Sequence, residues 1–421
     1  MAIGSSAQPR RVGAVWFVLF TLVWTALWTA QLTPIQLLIP LQLDTPDDAN
    51  GWVAGVLSSG VVLGVGGLVA LAAGPAAGAL SDRFPTRIGR RRPWAIGGSL
   101  LAGLSLGFLA TASGPWPVGI AWTGFSIGFA VASAAFTALI ADQLDTQRGA
   151  ASASVSSAQA GGLVLGVSTV VLLGLGVGSG YSLLALFVGV VGTIGAILLP
   201  DPPGAAVVES RPRARRARDR DFGWLLASRL VVNIGNALGT TLLLFFLLYG
   251  LGEERAAAED DLLLLIIVYT VFVVVASVLG GAVSDRTGRR KSLVIVAAIV
   301  QGAAALILVL APTFGTALVA AALIGIGYGV FSTVGLAYAT DLLPTVADTG
   351  RDLGLVNVAA NLGQLLGPIL GAALVWFVGG FWLLFAIAAV LSVVGAVMTV
   401  PIGRSSPRAS TGSAGGPVPR A

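Results

Sequence analysis

The chain runs to 421 residues, 56% of them hydrophobic and 10% charged, with a formal net charge of +5. A soluble domain carries about 25% charged residues, so most of this chain needs lipid as its solvent. With no Cys, no His and Lys291 as its single lysine, it offers no disulfide, no Cys/His metal site, no thiol nucleophile, no imidazole proton shuttle and no P-loop.

Arg10 and Arg11 precede an apolar run, Val12 to Ile39, that is too long for a cleaved signal segment. A bilayer core of about 30 Å needs about 20 apolar residues in a helix. Further runs of that kind follow near 52–80, 94–112, 117–141, 149–176, 181–200, 222–250, 262–283, 293–311, 314–339, 353–378 and 380–402. The expectation is an all-α membrane protein of twelve transmembrane helices, since in lipid each backbone must bond within its own helix. Pro34, Pro75 and Pro368 fall inside spans and are candidate kinks. Gly162 with Gly166 and Gly367 with Gly371 are small-xxx-small pairs suited to close helix contact.

Charge sets the orientation. Arg10, Arg11, the 83–92 loop, Arg148, the 211–220 segment, the 286–291 loop, Arg351 and the tail arginines fall on one side if the spans alternate. Asp44, Asp47, Asp48, Glu253, Glu254, Glu259, Asp260 and Asp261 fall on the other, with Arg255 the only basic residue there. Both termini are therefore expected in the cytoplasm, on a multi-pass protein of the plasma membrane. The net positive charge reads as topology rather than nucleic-acid binding. The expected divisions are an arm (1–11), a first six-helix bundle (12–200), a basic linker (201–221), a second bundle (222–402) and a disordered tail (403–421).

The second half repeats the first. Gly78-Ala79-Leu80-Ser81-Asp82-Arg83, continuing to Gly89-Arg90-Arg91-Arg92-Pro93, is echoed by Gly281-Ala282-Val283-Ser284-Asp285-Arg286 with Gly288-Arg289-Arg290-Lys291. Asp82 and Asp285 stand 203 residues apart, as do Arg148 and Arg351. Gly149, Ser152, Ser156, Gln159, Gly162 and Gly166 match Gly354, Asn357, Asn361, Gln364, Gly367 and Gly371 at a constant 205. Such a duplication places two pseudo-symmetric six-helix bundles about an axis normal to the membrane, with a path between them.

These loops resemble the signature of the major facilitator superfamily and its echo in the second half. The longer first loop, Ser81-Asp82-Arg83 through Arg87 to Gly89-Arg90-Arg91-Arg92-Pro93, resembles the glycoside–pentoside–hexuronide and sucrose-carrier branch. Thr33-Pro34, Ile39-Pro40 and the pairs Asp142 with Arg148 and Asp341 with Arg351 are similar to that branch too. The resemblance implies alternating access, two bundles rocking about a central site. Gly78, Asp82, Arg83, Gly89, Arg90, Arg91, Asp142 and Arg148 would then serve closure of the basic face. Gly281, Asp285, Arg286, Gly288, Arg289, Arg290, Asp341 and Arg351 would be their counterparts. A half-exposed ion pair contributes only about 1 kcal/mol, which suits a gate near balance.

Polar residues inside spans tend to face the protein interior or a water-filled cavity. Trp24, Trp28 and Gln31 share one face of span one, and Arg229, Asn233 and Asn236 one face of span seven, 205 residues on. Gln159 in span five and Asn357, Asn361 and Gln364 in span eleven complete a candidate lining, while Ser152 and Ser156 read as interhelical hydrogen bonding. Indole faces beside amides and hydroxyls suit a sugar-like solute. Arg229 has three readings: it snorkels, it binds an anionic or hydroxyl-rich solute, or it pairs with Asp341. No Asp, Glu or His lies at mid-span, which argues against symport through a buried carboxylate.

The expected function is a secondary or facilitative transporter of a small polar organic solute, with a sugar or glycoside as the leading class, acting as a monomer in the bilayer without cofactor or metal. The rival expectations are an exporter of amphipathic drug-like compounds and a non-transporting receptor or assembly factor on the same fold. No acid/base pair or nucleophile constellation in the spans suggests an enzyme.

Overall fold

The computed structural model describes residues 12–45, 51–83, 86, 88–144, 147–201, 220–342 and 349–403, without the side chains of 141 and 349–354. The N-terminal arm, all but the ends of the basic linker, the tail beyond 403 and the Arg351 side chain lie outside that set. Among the described residues the regular structure is helical. Twelve helices follow one another: α1 (Ala14–Leu43), α2 (Gly51–Arg83), α3 (Arg92–Leu109), α4 (Pro115–Gln143), α5 (Arg148–Leu172), α6 (Val177–Leu198), α7 (Arg220–Thr241 with Leu243–Gly250), α8 (Arg255–Thr287), α9 (Arg290–Leu310), α10 (Phe314–Asp341), α11 (Thr349–Val378) and α12 (Trp382–Thr399). Ten of the described helices are individually long and apolar enough to cross a membrane, and the bent pair forming α7 makes eleven. The twelfth is α3, whose first turn, Arg92-Pro93-Trp94, lowers its mean apolarity.

Proline chemistry explains one break and not the other. Pro34 lacks the N–H a helix needs, and α1 widens there into a π turn, Pro34–Leu38, before continuing. Pro75 and Pro368 sit inside helices that run on past them. The sharp bend, 44°, falls instead within α7 between Thr241 and Leu243, where no proline stands.

Helix contacts sort into two sets of six. In the first, α1 packs on α5 and α6, α2 on α4, and α3 on α4 and α6. In the second, α7 packs on α11 and α12, α8 on α10, and α9 on α10 and α12. This is the same wiring in both, as the repeat requires. The glycine pairs serve the equivalent seam in each: Gly162 and Gly166 of α5 lie against Thr25, Trp28, Thr29 and Thr33 of α1, and Gly367 and Gly371 of α11 against Ala237, Leu238 and Leu242 of α7. In lipid no hydrophobic force joins apolar helices, so close backbone approach at small residues supplies the contact energy.

The sets meet through α2 with α11 and, more lightly, α5 with α8. The first seam has a clear sense along the membrane normal. A Cβ on Gly60 would overlap that of Ala372 and stand 2.7 Å from the Pro368 carbonyl oxygen; Gly64 faces Ile369, and Gly67 faces Leu365 at 2.6 Å. Further along α2, an added Cβ on Gly74 or Gly78 meets nothing within 4 Å. The sets are therefore closed together toward the acidic end and parted toward the basic end. One continuous apolar core spans both sets near the acidic end, joining Leu43, Val56 and Leu63 to Leu242, Phe245 and Phe246.

Candidate functional site

The acidic end is sealed by aromatic rings from both sets. Trp52 of α2 stacks on Tyr249 of α7 at 4.9 Å and on Phe381, before α12, at 5.7 Å. The Tyr249 hydroxyl donates to Asp44 Oδ1, 2.6 Å away, at the end of α1. Beside this seal, burial and the neighbouring Asp261 carboxyl raise Glu253 above the ordinary glutamate range. A carboxyl raised on folding favours the protonated native state, so its burden on stability grows as pH rises through the raised value and vanishes below the ordinary one. Glu253→Gln is expected to raise the melting temperature at pH 7.5 by roughly 1–2 °C. The gain should disappear near pH 4, as melting curves at the two pH values will check.

Deeper in the second set, a cluster of amides and phenols draws on five helices. Gln364 Nε2 of α11 donates to Asn236 Oδ1 of α7 at 3.1 Å, and Asn236 Nδ2 donates to Gln301 Oε1 of α9 at 3.4 Å. The phenol of Tyr269 on α8 lies beside the Asn236 side chain and that of Tyr328 on α10 beside the Gln364 side chain. The two phenol rings lie 6.4 Å apart. Arg229 sits about two turns below Asn236 on α7, its Cζ 5.9 Å from the Phe331 ring centroid. Asn233 turns back on its own helix, its Nδ2 donating to the Arg229 carbonyl at 2.8 Å. Asn357 and Asn361 are exposed on the part of α11 nearer the basic end.

The first set contributes rings more than amides. Trp24 is buried between Phe20 and Trp28, at 6.2 Å from each, and Trp28 leans on Phe129 at 5.5 Å. Trp24 Nε1, Trp28 Nε1 and Gln31 Oε1 are buried without a hydrogen-bond partner. Gln159 is exposed on α5. Trp24 thus belongs to an aromatic ladder inside the first bundle, and Trp28 and Gln31 lie further along the same face.

At the basic end the repeated loops fold alike. Gly89 (φ 127°) and Gly288 (φ 64°) take the positive φ that side chains avoid. The arginine two places on then makes the same contacts in each set. Arg91 pairs with Asp82 at 2.9 Å and with Asp142 at 3.0 Å, and Arg290 pairs with Asp285 at 3.4 Å and with Asp341. Arg90 adds a second contact to Asp82. The next residue in each loop holds the end of the sixth helix of its set: Arg92 donates to the carbonyls of Ala196 and Leu199, and Lys291 to those of Val400 and Ile402. Asp201 accepts from the backbone N–H groups of Arg91 and Arg92, both at 2.7 Å, at the start of α3. Arg148 donates to the Leu144 carbonyl at 2.7 Å. Arg83, Arg286 and Arg289 are exposed. Gly78 has open space around it, while an added Cβ on Gly281 would contact Thr333 of α10 at 3.6 Å.

Sequence reasoning did not single out Tyr269, Tyr328, Gln301, Trp52, Tyr249 or Asp201. The tyrosines carried a usable signal, since the whole chain has five and a phenol inside lipid seeks a polar partner.

A family profile described as Major Facilitator Superfamily matches residues 4–167, 54–235 and 229–421. Among solved structures, a variant of the nucleoside transporter NupG is similar at TM-score 0.73 and 12% identity, covering 92% of this chain and 99% of that one. A bacterial homolog of the human lysosomal transporter Spinster, in an inward-facing and unoccupied conformation, is similar at TM-score 0.66 and 15% identity, covering 93% and 97%. The human organic anion transporter MFSD10 is similar at TM-score 0.66 and 16% identity, covering 91% and 98%. At these identities the likeness speaks for the fold, and it does not single out the sugar-carrier branch. No curated protein matches the chain in sequence.

Proposed function

We propose, from the premise that this chain belongs to the major facilitator superfamily, that it carries a small polar organic solute across a membrane by alternating access. The basic face is taken as cytoplasmic, so the conformation described here is the one open to the cytoplasm. The observation that carries the reading is the bonded amide series Gln364–Asn236–Gln301, with the phenols of Tyr269 and Tyr328 beside it, set inside the second bundle while Gln159, Asn357 and Asn361 stay exposed. Buried amides with donors and acceptors on offer reject an apolar solute and favour one that can replace their bonds. The rings of Trp28, Tyr269 and Tyr328, each part-exposed, add apolar faces, which suit a ring-bearing solute such as a sugar, a glycoside or a nucleoside-like compound.

The test is direct. Purified protein is screened by thermal shift against sugars, nucleosides, organic anions and amphipathic amines, since a ligand that binds the folded state raises its apparent stability. Each hit is then offered as a radiolabelled solute to proteoliposomes preloaded with the same compound. A polar ring solute that stabilises the protein and accumulates by counterflow is the expected result. Binding confined to amphipathic amines would instead fit an exporter, and binding without any counterflow would fit a receptor.

A further inference from the structure

Arg229 is a deep charge without a counter-ion. It stands nine residues into α7 from Arg220, about 13 Å along the helix, yet it is only 6% exposed. A snorkelling arginine keeps its head in water, whereas Nε and Nη1 of this one are buried. Asp341 is engaged by Arg290, and none of the ion pairs among the described residues includes Arg229. Two of the three readings open in the sequence therefore fall.

The surroundings are shaped to hold the guanidinium. Phe331 of α10 offers a ring face to Cζ, and Gly335, one turn on, leaves the space for Nη1: a Cβ there would stand 2.8 Å from that nitrogen. Tyr328 lies close enough on the same helix to interact with it electrostatically. What is missing is an acceptor. Nε and Nη1, which lie on different edges of the guanidinium, are both buried and both without a hydrogen-bond partner. Arginine does not give up its proton in proteins, and an unpaired charge in a low-dielectric interior is strongly unfavourable.

We propose that Arg229 receives an oxyanion of the transported solute, a carboxylate or a phosphate, and that the amide–phenol cluster above it orients the solute's polar ring. The assignment rests on the transport reading, and names the charge of the solute within it. A bound carboxylate leaves the site neutral, and a phosphate monoester, at about −2 near neutral pH, leaves it net negative; the empty site holds an uncompensated positive charge.

The probes are benzoate, phenyl phosphate and the uncharged isostere benzamide, added to detergent-purified protein in Tris chloride at matched ionic strength. The wild type, Arg229→Lys and Arg229→Met are compared. Benzoate or phenyl phosphate is expected to raise the wild-type melting temperature well above the effect of benzamide, and whichever is stronger identifies the anion. Arg229→Met should lose about tenfold or more in affinity for that anion, and its melting temperature without ligand should exceed that of the wild type, because the unpaired charge is gone. Arg229→Lys should retain part of the response. Equal shifts from benzamide and benzoate, no shift from either anion, or an anion shift that survives in Arg229→Met would each overturn the proposal; a site already filled by chloride shows as the second of these. Counterflow of a neutral solute at wild-type rate in Arg229→Met would also overturn it while leaving transport standing. Arg229-dependent anion binding with no counterflow of any solute would sink the transport reading alone.

Discussion

Replacing Gly60 with leucine is expected to cut counterflow by roughly fivefold or more while both bundles stay folded. Gly60 lies where α2 meets α11, with Ala372 and the Pro368 carbonyl already inside the volume of a first side-chain carbon. A leucine cannot be accommodated by rotation, because the 2.7 Å neighbour is backbone. The seam must open, and overpacking of this kind typically costs about 1–3 kcal/mol, a shift of roughly 5–150-fold between two states. The cost falls only on the conformation closed at the acidic end, so the wedge biases the protein toward the opposite opening and stalls the return. The chain has no native cysteine, so spin labels at Ser113→Cys and Glu254→Cys, two exposed acidic-end positions in different bundles, read the change. The label separation should lengthen in Gly60→Leu. Gly74→Leu, on the same helix but with nothing within 4 Å, is the control: there both distance and counterflow should stay as in the wild type. A Gly60→Leu protein with wild-type distances and rates would refute the idea that this seam closes during transport.

The sequence made some of this visible and hid the rest for a physical reason. Loop positions such as Gly89 and Gly288 were legible because a positive φ demands glycine and because the Asp and Arg beside them recur in order. The pairing of Gly162 with α1 and of Gly367 with α7 was foreshadowed by small-xxx-small spacing. The partners of those loops were harder to see: Asp201 reaches back 109 residues to the start of α3, and nothing local marks it as a helix cap. Inside the spans, lipid removes the usual guide. Every face of α2, α4 or α10 is apolar, so periodicity does not tell an inward face from an outward one. Tyr328 stood in such a helix, and only its place beside Gln364 gives it meaning; Gln301 of α9 gains its meaning from the bond to Asn236. The bend in α7 had no proline to announce it. The seal of Trp52, Tyr249 and Phe381 was illegible because its three rings come from three distant segments.

The two repeated arginines should differ in what their loss does, although their contacts match. Arg91 is nearly enclosed, with its side chain 7% exposed and three acceptors around it, Asp82, Asp142 and the Ser81 hydroxyl. Arg290 is 24% exposed, and its partners Asp285 and Asp341 are 74% and 50% exposed. Removing one member of a buried charged set leaves the others uncompensated, at 3–5 kcal/mol in the fully buried limit; Asp82 is half-exposed, which brings Arg91→Ala to about 3 kcal/mol. An exposed set is worth about 1 kcal/mol, the scale for Arg290→Ala. For a bundle of this size those costs translate to melting temperatures lower by roughly 6–12 °C and 2–4 °C. A triple variant, Arg91→Met with Asp82→Asn and Asp142→Asn, separates charge from packing. If the cost is uncompensated carboxylates, the triple should recover most of the lost stability. Its counterflow should remain impaired, because the contacts that hold the basic ends of α2, α3 and α4 together would be gone. Full recovery of transport in the triple would mean that these charges only set topology, and equal losses for Arg91→Ala and Arg290→Ala would mean that burial does not decide the difference between the two loops.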